Sequence, residues 1–168
     1  MGFPTNLDLW MVTLTTIAFR NGIMAADTQE TWGDNKFLTV EKIFIRTLGT
    51  KARPRDVLFG TAGGSYAGMA YVDWYGSPKT MPAFFRDLSD DEDFSILIWD
   101  RNKLFVVNWM CIKVEVAEPF YAIGSGAAAA LGAMHMGATA VEAVEAAMKV
   151  DAHTGGTVTY YGPIGKKK

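Results

Sequence analysis

The chain alternates compact apolar runs with polar breaks centred on glycine. Residues 15–33, TTIAFRNGIMAADTQETWG, form the first clear unit, in which two short apolar runs flank Asn21-Gly22. That is a β-hairpin pattern, because asparagine and glycine tolerate the positive φ of a tight turn. Polar groups gather at its open end, with hydroxyls where the first run starts and Asp27 where the second stops. A two-residue loop would set Thr16 opposite Asp27. A three-residue loop over Arg20-Asn21-Gly22 sets Thr15 opposite Asp27, Ile17 across from Ala25 and Phe19 across from Ile23, which collects one apolar face. The second register is the expectation.

Downstream, FLTVEKIFIRT (37–47) is dense enough in β-branched and aromatic residues for a strand. DVLFGTAGG (56–64) reads as a buried strand entering a glycine turn. In SYAGMAYVDWYG (65–76), Tyr66, Met69, Ala70, Asp73 and Trp74 recur at helical spacing before Gly76-Ser77-Pro78 ends the element. The acidic SDDED (89–93) predicts a solvated connection. FSILIWD and KLFVVNWMCIKVEV follow as two strands about the turn-compatible Arg101-Asn102. FYAI then enters Gly124-Ser125-Gly126, and AAAALGAMHMG reads as a helix of small side chains. Thr139 with Glu142 makes a capping box, and Val141, Val144 and Met148 give the second helix its apolar stripe. GGTVTYYG closes as a strand. The order predicts an α+β layered fold with mostly antiparallel pairing.

Length and charge narrow the possibilities. A chain of 168 residues suits one domain. With 49% hydrophobic residues, 20% charged and a net charge of −2, it has no general attraction to nucleic acid or membrane. Lys166–Lys168 predicts a solvated basic tail. Cys111 is alone and sits in an apolar run, so an inert core thiol in a reducing compartment is expected. No run reaches the roughly 18 apolar residues of a spanning helix, and residues 1–14 lack signal-peptide features, so the expectation is a cytoplasmic protein. His135 and His153 have no metal-ligand spacing, and no cofactor is expected. GTAGG lacks the lysine and following hydroxyl of a phosphate-binding loop.

The hairpin, Lys42 in VEKIFI, GTAGG at 60–64, YAIGSGAAAALGA at 121–133 and DAHTGG at 151–156 resemble, together and in this order, the β-subunits of the proteasome and the related bacterial peptidases, which are N-terminal-nucleophile hydrolases. The resemblance runs from residue 15 to about 161, leaving 1–14 as a leader and 162–168 as the tail. It implies a four-layer αββα sandwich of two antiparallel sheets. It also implies a chemistry in which an N-terminal threonine attacks an amide with its own α-amine as base, through an acyl-enzyme. A free α-amine has an ordinary pKa of about 7.7–8.0, which suits that task.

Position by position, the resemblance implies Thr15 as nucleophile and base, Asp27 paired with Lys42, and Lys42 stabilising the alkoxide. The N–H of Gly63 would form the oxyanion hole, and Ser125, Asp151 and Thr154 the supporting polar cluster. Thr154 stands where relatives more often carry serine. Thr31 would bind the substrate strand through its backbone, with Thr61 and Glu30 lining the pocket before the cleaved bond. The hairpin is four residues shorter than the usual pattern, and the segment between GTAGG and FSILIWD is compressed. Relatives that remove their own leader usually cleave after glycine, whereas Leu14 precedes Thr15 here.

Two functions follow. One is a threonine peptidase, active on polypeptides after leader removal, in a homo-oligomeric ring that an ATPase unfoldase could serve. The other is a catalytically silent assembly protein, for instance of a virus particle among other virion proteins, with its leader as a docking arm. The phage-encoded relative is part of that expectation.

Overall fold

The computed structural model describes residues 14–32, 35–86 and 94–162. The leader to residue 13, the SDDED connection and the tail beyond Gly162 lie outside the described residues. The first strands, β1 (Thr16–Arg20) and β2 (Ile23–Asp27), meet at a turn in which Asn21 has φ +53° and Gly22 φ +77°. Positive φ at both central residues is the two-residue turn whose twist matches paired strands. Ile17 therefore faces Ala26 and Phe19 faces Met24. This corrects the three-residue loop expected from the sequence: the ladder sets Thr16, not Thr15, in line with Asp27.

A small hairpin follows, β3 (Glu30–Trp32) with β4 (Asn35–Phe37). Then come β5 (Ile43–Thr50), β6 (Arg53–Gly63) and helix α1 (Ser65–Trp74), with a short 3-10 turn at Ala83–Arg86. Next are β7 (Phe94–Asp100), β8 (Lys103–Val107), β9 (Lys113–Val116) and β10 (Phe120–Gly124). Helices α2 (Ala127–His135) and α3 (Ala140–Val150) precede β11 (Val158–Tyr161). The strand expected over 37–47 thus starts only at Ile43. The preceding stretch instead crosses the hairpin's open end, where the Val40 N–H donates to the Thr28 carbonyl at 3.0 Å. The long strand expected after Lys103 breaks in two, because the Ile112 N–H donates to the Asn108 side chain (3.0 Å) and Cys111 takes φ +58°.

Two antiparallel sheets result, ordered β10-β1-β2-β11 and β5-β6-β7-β8-β9. Strand alternation sends odd residues of β1 inward. Ile17 and Phe19 join Met24, Ala26, Leu58, Leu97 and Leu104 in the layer between the sheets. The other face of β1 and β2 presents Ala18 and Ala25 to Ala130, Ala143 and Ala147 of α2 and α3. Alanine against alanine lets helix and sheet approach closely, which brings the α2 N-terminus down onto Thr16. On the far side, Tyr71 and Val72 of α1 pack on Phe59, Ile96 and Ile98. The layers are therefore helices, sheet, sheet, helix, the four-layer sandwich expected, with the β3-β4 hairpin added. Thr139 caps α3 with the reciprocal Glu142 contacts of a capping box.

Among the described residues no helix is long and apolar enough to cross a membrane. The sandwich requires a missing side chain at Gly60, where a Cβ would meet Met24 Sδ at 2.7 Å and Ile17 Cγ2 at 2.8 Å. Overpacking of this kind costs about 1–3 kcal/mol. Gly60→Ala is expected to lose stability on that scale in urea unfolding, without a change of secondary structure by circular dichroism.

Candidate active site

Asp27 ends β2 and is fully buried. Five donors converge on it. Oδ1 accepts from the Thr15 hydroxyl, from the Thr16 N–H (2.9 Å) and from Lys42 Nζ (3.0 Å). Oδ2 accepts from the N–H groups of Gln29 (3.1 Å) and Gly155 (3.0 Å). A carboxylate can accept from all five at once because its two oxygens hold about four lone-pair sites and one bond can be shared. Hence the hairpin, the residues just after it and the loop after α3 are all fixed by one side chain.

Lys42 enters from the stretch before β5 and is also buried. Its ammonium has three protons and uses them on Thr15 Oγ, Asp27 Oδ1 and the Gln29 carbonyl. The lysine carbonyl accepts the Thr61 N–H at 3.0 Å, which ties it to β6. Burial pulls the Lys42 pKa below its ordinary 10.5; the charge and hydrogen bond of Asp27 and the charge of Glu30 oppose this without cancelling it. Thr15 Oγ thus donates to a carboxylate and accepts from an ammonium. A hydroxyl so held is a candidate nucleophile.

A second cluster lies on the other side of Thr15. Ser125 Oγ stands 2.6 Å from Asp151 Oδ2 and 3.3 Å from the Thr15 carbonyl. Thr154 Oγ donates to the same Asp151 oxygen at 2.6 Å. Burial raises the Asp151 pKa, but the hydrogen bonds from Ser125, Thr154 and the His153 N–H outweigh it, leaving the carboxyl below its ordinary value. Ser125 is not the N-cap of α2; Gly126 is. At Gly124, with φ +95°, a Cβ would fall 2.0 Å from the Thr15 carbonyl oxygen, so that close approach requires glycine.

The structure brings Thr15, Asp27, Lys42, Ser125, Asp151 and Thr154 into one hydrogen-bonded group. Thr61 joins through Lys42, and Glu30 is buried close enough to act on it electrostatically. Gly63 ends β6 opposite Phe94 with φ +87°, and Thr31 lies in β3 opposite Lys36. Gly63 is not hydrogen-bonded to Thr15 among the described residues. Sequence reasoning missed Thr16, Gln29 and Gly155. Thr16 was readable in the hairpin's alternative register, whereas Gln29 and Gly155 act through backbone groups that carry no sequence signal.

No protein-family model matches the chain, and a search of curated proteins finds no match either. Solved structures do match. BPH from Thiobacillus denitrificans, in complex with epoxomicin, is 25% identical with a TM-score of 0.62, over 89% of this chain and 97% of that one. HslV from Trypanosoma brucei shares 16% identity at a TM-score of 0.61, over 89% and 98%. Anbu, an ancestral beta-subunit, from Yersinia bercovieri shares 13% at 0.64, over 87% and 80%. The chain has the fold of the proteasome-like N-terminal-nucleophile hydrolases.

Lys42 gives the site a pH signature. Its folded pKa lies below the unfolded 10.5, so its burial cost is complete below the folded value and disappears as pH rises through 10.5. The stability of the protein relative to Lys42→Met is therefore expected to increase with pH on the alkaline side. Urea unfolding of both forms between neutral pH and about 10.5 measures it; a flat difference contradicts it.

Proposed function

We propose that the chain is a threonine-type peptidase, active on polypeptides once the Leu14–Thr15 bond is opened. The observation that carries this reading is the Thr15 hydroxyl held between Asp27 and Lys42, with every Lys42 proton engaged. The similarity to the proteasome-like fold supports it.

The mechanism follows from the groups around Thr15. Opening the bond to Leu14 turns the Thr15 amide nitrogen into an amine whose lone pair can take the Oγ proton. As Oγ bonds to the substrate carbonyl carbon, Lys42 stabilises the oxygen while it carries charge, and Asp27 keeps that ammonium in position. The N–H of Gly63 would meet the substrate oxyanion. Collapse of the tetrahedral adduct breaks the amide, and the leaving nitrogen takes the proton back from the Thr15 ammonium. Water, deprotonated by the same amine, then hydrolyses the Thr15 ester. Ser125, Asp151 and Thr154 would orient the amine. Thr31 would pair with the substrate backbone, and Thr61 and Glu30 would bound the pocket for the residue before the cut. A homo-oligomeric ring enclosing the site, fed by an ATPase unfoldase, fits this reading.

Leu14 in peptide linkage to Thr15 favours a second reading for as long as the bond persists. In that state the nitrogen is an amide, without a lone pair for the proton, and the fold would act as a silent assembly protein, for example within a virus particle.

Two measurements separate these readings. The intact mass of the purified protein is expected to correspond to residues 15–168; a mass that keeps residues 1–14 supports assembly. Thr15→Ala is expected to bring peptide hydrolysis below detection with folding unchanged by circular dichroism, and undiminished activity would remove Thr15 from its role. Because the amine must be unprotonated to accept the Oγ proton, hydrolysis should fall as pH drops through its pKa. A pH–rate profile reads that limb, and a rate that does not fall on the acid side contradicts the amine as base.

A further inference from the structure

We propose that Thr16 is a positioning residue that joins the two carboxylates of the site, Asp27 and Asp151, into one frame around Thr15. The role deepens the peptidase reading and rests on it for its kinetic consequence.

Thr16 is fully buried, on the helix-facing side of β1. Its N–H donates to Asp27 Oδ1 at 2.9 Å, and its hydroxyl lies 2.6 Å from Thr154 Oγ. Counting protons sets the direction of that contact. Thr154 has one hydroxyl proton and gives it to Asp151 at 2.6 Å, so in the bond to Thr16 it accepts and Thr16 donates. Asp151 also takes the Ser125 hydroxyl, whose oxygen stands 3.3 Å from the Thr15 carbonyl. The path from Asp27 through Thr16, Thr154 and Asp151 ends at Ser125, which gives its one proton to Asp151 and lies beside the Thr15 carbonyl. One residue thereby carries the register of the Lys42 half of the site to the Ser125 half.

The hydroxyl is not needed for packing. A valine has the same shape and a higher preference for strands, whereas a buried hydroxyl costs stability unless it is bonded. The fold also keeps space for the pair. A Cβ at Gly126 would fall 2.1 Å from Thr16 Oγ, 2.9 Å from Ala147 Cβ and 3.0 Å from Thr154 Oγ. The α2 N-terminus thus descends on a bonded pair of hydroxyls through a residue with no side chain. Removing the Thr16 hydroxyl takes away the donor to Thr154 and so weakens the bond that Thr154 gives to Asp151.

The test compares wild type, Thr16→Val and Thr16→Ser in two readouts. In the full chain, the Asp151 carboxyl is titrated by carbon NMR. It is expected to move up toward its ordinary value in Thr16→Val and to return in Thr16→Ser. In protein whose Leu14–Thr15 bond has been opened, peptide hydrolysis is expected to show kcat reduced about 10–100-fold in Thr16→Val, with KM within about twofold, and most of the loss restored by Thr16→Ser. An Asp151 titration unchanged in Thr16→Val overturns the proposal, as does an undiminished kcat. If wild type itself does not hydrolyse, the peptidase reading fails, and the NMR titration alone then decides whether Thr16 joins the two carboxylates.

Discussion

The convergence of five donors on the Asp27 carboxylate is the constraint on which the site depends. A buried anion is costly unless its lone pairs are met, and here the partners come from four separate stretches of chain: β1 with its preceding Thr15, the residues after β2, Lys42, and the loop after α3. Each contact serves two ends, since a segment that satisfies Asp27 is also fixed relative to Thr15. The small residues nearby have the same origin. Gly155 donates to Asp27 and leaves no space for a Cβ beside the Gln29 side chain, which its atom would approach to 2.3 Å. The loop therefore lies flat against the hairpin.

Lys42 adds an electrostatic balance. Its ammonium is held among three acceptors in a space with little water, which keeps its geometry fixed while making its proton less firmly bound than in solvent. A cation in that condition interacts strongly with any charge that develops on Thr15 Oγ, because there is little solvent to screen it. The second carboxylate, Asp151, sits in more open surroundings and keeps its charge through hydroxyl donors. Two acids of the same type thus serve the site differently because their surroundings differ.

Much of this was legible in the sequence. The five ordered motifs identified the sandwich, and Thr15, Asp27, Lys42, Ser125, Asp151 and Thr154 do meet. Glu142 three residues after Thr139 gave the start of α3, since a capping box is a local signal. The hairpin register differs from the one the apolar pattern favours because Thr15 precedes the first paired residue and reaches Asp27 from beyond the strand end. The strand that composition predicts over 37–47 is cut short because the Thr28 carbonyl captures the Val40 N–H, a contact composition does not reveal. Cys111 at positive φ interrupts an apolar run for which periodicity gave no stop. In each case a long-range backbone bond or a special dihedral decided the outcome.

The tight turn at Asn21-Gly22 sits at the opposite end of β1 and β2 from the cluster around Thr15. The open end is held by outside partners, Thr16 by Gly124 of β10 and Asp27 by Val158 of β11. The hairpin can therefore gain or lose two residues from each strand together, which keeps a hydrogen-bonded pair at the turn, while Thr16 and Asp27 stay where their neighbours hold them. A single-residue change reverses every side chain between the turn and the point of compensation. With this turn the length of the element is thus quantised in steps of four, and within those steps it can vary independently of the cluster around Thr15.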